Sequence, residues 1–228
     1  MLARQLNIAI DGPAGAGKSS VARAVAEALG LVYLDTGAMY RAITWKAQQQ
    51  NLSLQDPEIL GRLAETTEFT WSDDELKRRL LMDGSPIPAA IRSPAVTRCV
   101  SLVASQETVR RALRQKQQQL ARSARGIIMD GRDIGTAVMP EADLKIFLTA
   151  SLEERARRRM HDLGQDVSQL PQLMREMAAR DHQDSTREHS PLSIAPDATV
   201  IDTTGLSLSQ VVELVIRHAE QICLSRGE

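Results

Sequence analysis

The stretch Leu6-Asn7-Ile8-Ala9-Ile10-Asp11-Gly12-Pro13-Ala14-Gly15-Ala16-Gly17-Lys18-Ser19-Ser20 decides how the rest of the chain is read. Its first part, Leu6–Ile10, is a short apolar run with β-branched residues that stops at an acid, as buried parallel strands do. Residues 12–19 fit G-x-x-x-x-G-K-[ST], and Val21, Ala22, Val25, Ala26 and Leu29 then recur on one helical face. Strand, glycine-rich turn and helix in that order make a phosphate-binding loop. Glycines let backbone N–H groups converge on phosphate oxygens, and the helix N-terminus adds positive potential. Lys18 is expected to reach the β- and γ-phosphates of a nucleoside triphosphate, and the Ser19 hydroxyl to ligate Mg²⁺. Ser20 is placed to donate toward the α-phosphate. Gly12, Pro13, Ala14, Gly15, Ala16 and Gly17 complete the expected nucleotide cradle.

Working outward, apolar runs recur at Leu31–Leu34, Ile127–Met129, Leu144–Leu148 and Thr199–Ile201, with segments of helical period between them. Ser151-x-x-Glu154 and Ser207-x-x-Gln210 read as capping boxes, the second opening a helix with Val211, Val212, Val215, Ile216, Ala219 and Ile222 on one stripe. The pattern predicts an α/β fold around a five-stranded parallel sheet flanked by helices. The second and third runs lie too far apart for a simple crossover, so an insertion separates them. Residues 36 to about 52 read as helical, and Asp56-Pro57 as an N-cap followed by a first-turn proline. Glu68–Ser93, with Phe69-Thr70-Trp71, Asp83-Gly84 and two prolines, reads as a small β lobe.

Composition narrows the ligand. The 228 residues carry 28 basic and 29 acidic side chains, a net charge of -1, which argues against a general nucleic-acid binder. Aromatic residues at 3% give no stacking platform for single strands. Of the basic residues 23 are Arg, suited to bidentate phosphate recognition, although such a bias can equally follow genome composition. Cys99 and Cys223 form neither a metal-type pair nor a disulfide framework, and the four histidines follow no ligand spacing. With no apolar run of membrane-spanning length and no secretory leader pattern, the expectation is a cytoplasmic protein without membrane contact.

A guanine-specific switch would need N-K-x-D, which does not occur, and Asp202–Gly205 follows the last strand, where it cannot sense a γ-phosphate. A small kinase is the better class, and it must bring an acceptor to the γ-phosphate. Asp35-Thr36-Gly37-Ala38-Met39-Tyr40-Arg41 stands where the insertion begins, so Arg41 could clamp an acceptor phosphate beside Tyr40; a plain helix capped by Thr36 is the alternative. Met129-Asp130-Gly131-Arg132-Asp133-Ile134-Gly135-Thr136 ends the third run. Asp130 stands where a Walker-B acid faces Mg²⁺ or its waters, and Gly131 and Gly135 favour close ligand approach over an internal Arg132–Asp133 ion pair. Arg180, Asp184 and Arg187 fall on one helical face, an arrangement suited to a ribose phosphate, with a surface salt bridge as the alternative.

Together these strings resemble the bacterial cytidylate kinases, of the nucleoside monophosphate kinase group. The resemblance runs through G-P-A-G-A-G-K-S (12–19), D-T-G-A-M-Y-R-A (35–42), V-S-x-V-A (100–104), D-G-R-D-I-G-T (130–136), K-I-F-L-T-A (145–150), E-E-R-A-x-R-R (153–159), R-D-x-x-D-S-x-R (180–187) and A-P-D-A (195–198). The phosphate loop ends in Ser19-Ser20 where many relatives have a Thr, a change that keeps both hydroxyls, and Thr36 stands where a Ser is common. The resemblance implies a P-loop kinase that transfers phosphate from ATP to CMP or dCMP with Mg²⁺. It implies one kinase domain over 1–228: a core of about 1–35, 106–154 and 188–228, an acceptor-binding insertion of about 36–105, and a helical lid of about 155–187. Arg41, Arg132 and Arg187 would hold the acceptor phosphate; Ser101, Arg110 and Asp133 the cytosine edge; Arg180 and Asp184 the ribose. Thr36 and Tyr40 join the acceptor set, and Lys18, Arg132 and Arg187 would act on the transferring group. One of Arg155 and Arg159 is expected to reach ATP from the lid. No general base is required. The expected partners are small molecules and not a nucleic-acid polymer, with the chain acting as a monomer. Rival acceptors such as shikimate or dephospho-coenzyme A would not need Ser101, Arg110 and Asp133.

Overall fold

The computed structural model describes residues 6–72 and 79–225. Along the chain run β1 (Asn7–Asp11), α1 (Lys18–Leu29), β2 (Val32–Asp35), α2 (Thr36–Gln49), α3 (Pro57–Thr66), β3 (Phe69–Trp71), β4 (Leu80–Met82), β5 (Ser85–Pro86), α4 (Pro94–Ser105), α5 (Glu107–Arg122), β6 (Ile127–Gly131), β7 (Leu144–Thr149), α6 (Leu152–Leu163), α7 (Leu170–Thr186), β8 (Thr199–Asp202) and α8 (Leu208–Ser225). The chain packs as two units, Met1–Tyr33 with Arg125–Glu228, and Leu34–Ala124.

In the first unit the expected α/β sheet forms, in the order β2-β6-β1-β7-β8. β1 runs parallel to β6 and β7, and β7 to β8. Apart from Asn7 and their polar C-terminal ends, β1 and β6 are apolar because they are covered on both faces: Ile8, Ala9, Ile10, Ile127, Ile128 and Met129 are fully buried. α1 and α8 lay their apolar stripes over one face, Val21, Val25, Val211, Val215 and Ala219 meeting Ile8, Ile10, Ile146 and Leu148. Each fully buried valine there contributes about 1.5–3 kcal/mol relative to exposure. The register pairs Asp11 with Gly131, so the loops that follow β1 and β6 leave the same edge of the sheet together. That edge is where parallel α/β sheets bind ligands.

The caps follow the sequence with one exception. Ser207 and Gln210 exchange side-chain-to-backbone bonds as a full capping box. Ser151 caps α6 by accepting from the Glu154 N–H, but the Ser151 N–H donates to Thr204 Oγ1, and the Glu154 carboxylate pairs with Arg158 instead. Only half of that box exists. No helix among the described residues is long and apolar enough to cross a membrane.

The second unit holds α2, α3, the three-stranded sheet β3-β4-β5, α4 and α5. Asp35 caps α2 through the Ala38 N–H, and Thr36 is buried just behind it, so the alternative of a Thr36 cap does not hold. Asp56 caps α3 by accepting from Glu58 and Ile59, with Pro57 in the first turn. In the small lobe Asp83 and Gly84 both take positive φ, 51° and 74°, which closes a two-residue hairpin between β4 and β5. Residues 73–78 of the expected lobe lie outside the described residues. The unit extends past the 36–105 insertion because α5 packs along α3 and receives Trp71, whose indole N–H donates to the Leu120 carbonyl.

Candidate active site

In the first unit the site begins where β1 turns into the phosphate loop. Gly12 has φ 146°, and a Cβ there would stand 2.0 Å from the Leu148 carbonyl oxygen, so no other residue passes so close to β7. The Lys18 ammonium is buried and donates to the Pro13 carbonyl at 2.7 Å. Burial pushes its pKa down to about 7, the positive charge of Arg132 pushes the same way, and Asp130 and Asp11 oppose them. Ser19 Oγ donates to Asp130 Oδ2 at 2.7 Å, and the Tyr33 hydroxyl donates to Asp130 Oδ1 at 2.9 Å. Tyr33 was not legible as a site residue: it sits in the second apolar run, and only the fold carries its hydroxyl to an acid nearly 100 residues away.

After β6 the chain makes a single π-helical turn, Ile134–Val138, which no periodicity announced. Arg132 does not pair with its neighbour Asp133. Its Nε donates to Asp184 Oδ2 at 2.8 Å, while Arg187 stands 3.7 Å from Asp133 and 3.8 Å from Asp184. Burial would raise the Asp184 carboxyl, but Arg132, then Arg180 and Arg187, outweigh it and hold it below the ordinary value. Arg187 is not on the helical face expected for it. It is the first residue past α7, in extended backbone, and its Nε donates to Ser190 O. Gly135 also departs from expectation. Its α-carbon faces protein, since a Cβ there would come within 3.2 Å of Lys145 Cδ and 3.5 Å of Asp11 Oδ2. Lys145 in turn bonds both oxygens of Asp197, which joins two of the motifs quoted above.

The arginines of α6 separate by partner. Arg155 is buried and bonds the carbonyls of Ala150 and Ala14 and the carboxylate of Asp181; Asp181 also accepts from the Ala14 N–H. Arg157 pairs with Glu153, and Arg158 with Glu154 and Thr203. Among the described residues Arg159 makes no hydrogen bond or ion pair. Ala14 also packs on the apolar cluster of Ala156, Leu173 and Met177 that joins α6 to α7.

The remaining expected residues belong to the second unit. Arg110, 2% exposed, donates to the Ala104 carbonyl at 3.0 Å and lies over the Tyr40 ring at 5.5 Å, a cation–π contact. Arg41 donates to Thr97 Oγ1 at 3.0 Å, and Asp35 pairs with Arg92 at 2.7 Å. Ser101 is half-buried on α4. Thr97 was missed because a threonine inside a helix carries no signal until its partner is known.

A parallel sheet whose first strand opens a phosphate loop, with an acid and arginines at the next strand end, defines a small P-loop phosphotransferase. The comparisons narrow that class. A family model described as cytidylate kinase matches residues 8–221. The chain is 50% identical over 216 residues to the cytidylate kinase of Desulfitobacterium hafniense (strain Y51), covering 93% of this chain and 92% of that protein. It is 53% identical over 227 residues to a Synechococcus bifunctional pantoate ligase/cytidylate kinase, covering 96% of this chain and 42% of that protein. A crystal structure of an uncharacterized protein from Eubacterium ventriosum matches at a TM-score of 0.52 and 12% identity, over 95% of this chain and 99% of that one, a likeness of fold alone. The chain belongs to the cytidylate kinase family.

Proposed function

We propose that the protein transfers the γ-phosphate of ATP to CMP and dCMP, giving ADP with CDP or dCDP. The observation that carries this reading is that two anion-binding features leave one sheet edge side by side: β1 opens the phosphate loop with the buried Lys18, and β6, paired with it, leads to Arg132 and the Asp184–Arg187 group. One suits a donor phosphate and the other an acceptor phosphate.

On this reading Lys18 leaves the Pro13 carbonyl for the β/γ-phosphates, and the N–H groups of residues 14–20 cradle the chain of phosphates. Arg132 and Arg187, joined by Arg41 of the second unit, neutralise the acceptor phosphate. Asp184 and Arg180 take the ribose, and Ser101, Arg110 and Asp133 the cytosine edge, with Thr36 and Tyr40 shaping that side. Of the four arginines on α6, Arg159 is the one we assign to ATP, because the other three are engaged with neighbouring protein groups. Helices α6 and α7 act as the lid, closing to exclude water that would otherwise hydrolyse ATP. The Ser19 hydroxyl and Asp130 carboxylate, two hard oxygen ligands in contact, fit Mg²⁺, which commonly takes one or two protein oxygens and keeps its waters. When bound there it would neutralise charge on the β- and γ-phosphates. The acceptor is already an anion, so no side chain has to remove a proton from it.

A coupled ADP-release assay across CMP, dCMP, UMP, AMP and shikimate tests the reading, with turnover expected on CMP and dCMP well above the others. Best activity on shikimate or AMP would overturn it. Base choice is a separate prediction. Ser101→Ala and Arg110→Met are expected to lower kcat/KM for CMP by about tenfold or more, the cost of one or two lost polar contacts, and to narrow the CMP/UMP preference. An unchanged preference removes both residues from the cytosine site.

A further inference from the structure

Asp11 is the one buried acid at the sheet edge to which the proposed chemistry gives no task. It is the last residue of β1, 5% exposed, and directly precedes the phosphate loop. Its two oxygens are each taken by a backbone donor 123 or 124 residues further on: Ile134 N–H donates to Oδ1 at 2.8 Å and Gly135 N–H to Oδ2 at 2.7 Å. Those two peptides open the π-helical turn that follows Arg132 and Asp133. The turn's own backbone bonds use later donors, Ala137 and Val138 N–H to the Asp133 carbonyl and Met139 N–H to the Ile134 carbonyl, so without Asp11 the N–H groups of its first residues would be orphaned as at any helix start. An asparagine could not replace the carboxylate, because it offers one acceptor oxygen and would set its NH₂ against the other N–H. The acid also stands close enough to Asp133 and Lys18 for their charges to act on it, and burial, the largest influence, lifts its pKa to about 6.

We infer that Asp11 is a positioning residue for the acceptor: by holding both N–H groups of the Ile134–Gly135 segment, it sets the turn that aims Arg132 and Asp133, and it ties that aim to the strand that opens the phosphate loop. Donor and acceptor sides are thereby referred to one side chain. The inference rests on the assignment of Arg132 to the acceptor phosphate. A misplacement of about 1 Å in such a group costs on the order of 10²-fold in rate.

The test is the kinetic split in Asp11→Asn, with Asp11→Glu as the companion that keeps the charge and lengthens the arm. Steady-state kinetics in ATP and CMP are measured beside thermal midpoints and binding of a fluorescent ATP analogue. Expected are a fall of about 10–100-fold in kcat/KM for CMP and analogue binding within twofold of the parent. Wild-type kinetics with CMP, or analogue binding weakened as much as kcat/KM for CMP, would overturn the inference. If Asp11→Asn does not fold, the same split is read from Asp11→Glu. Failure of both to fold would also overturn it, assigning Asp11 to core stability alone. A parent enzyme that ignores CMP would instead sink the proposed function, a result visible before any variant is made.

Discussion

Lys18→Met is expected to abolish turnover while leaving the ligand-free fold at least as stable as the parent. The kinetic half follows from the place at the donor phosphates proposed for the lysine. Charge neutralisation on a transferring phosphoryl group by a single cation is worth roughly 10³–10⁵ in rate, so kcat should fall by that order. Near-normal turnover would remove Lys18 from the mechanism. The stability half follows from burial. A lysine whose pKa falls from 10.5 to about 7 on folding binds fewer protons in the folded chain than in the unfolded one across that window. Folding stability of the parent therefore rises with pH between about 7 and 10.5, and below about 7 it carries the full cost of a buried charge. The methionine has no charge to bury, so its melting temperature should exceed the parent's at pH 7 and lose part of this pH dependence. At this chain length each kcal/mol corresponds to about 2–4 °C, well within reach of a thermal scan. A variant that melts far below the parent would show that the bond to the Pro13 carbonyl outweighs the burial.

Arg132→Ala is expected to cost about 10²–10³ in kcat/KM for CMP, the usual loss when one preorganised donor is removed from a developing charge, with ATP binding retained. ATP binding weakened as much as kcat/KM for CMP would contradict its placement on the acceptor side. The variant also removes the strongest of the influences that lower the Asp184 carboxyl. A carboxyl lowered on folding contributes stability that is present above its ordinary value of 3.8 and is lost as pH falls through the folded pKa. With Arg132 gone, acid unfolding should begin at higher pH than in the parent, which a pH titration of the circular dichroism signal would read.

Much of the fold was legible because it rests on local chemistry. The five strands were visible as apolar runs; the structure shifts the first two by one residue, to end at Asp11 and Asp35, and lengthens the other three, the last to take in Asp202. Asp56-Pro57 and Ser207–Gln210 cap as read, since a cap needs only residues a few positions apart. What was not legible depends on long-range company. Glu154 has the residue type and spacing of a capping-box partner, yet an arginine one turn away claims it. Arg187 keeps helical spacing from Arg180 and Asp184, but α7 stops at Thr186. Gly135 invited a reading as room for ligand, and the room is filled by Lys145 and Asp11. Arg155 illustrates the same limit: its position on α6 follows from periodicity, and its attachment to Ala14 and Asp181 does not.

That last attachment has a consequence for how motion could be observed. Ala14 gives its N–H to Asp181 and its carbonyl to Arg155, so its amide is covered by side chains from α7 and held by a pair that spans α6 and α7. Exchange of that one amide with solvent deuterium requires Asp181 to let go. Its exchange rate would therefore report any opening of the two helices away from the loop, and Ala14 becomes the amide at which the proposed lid can be timed.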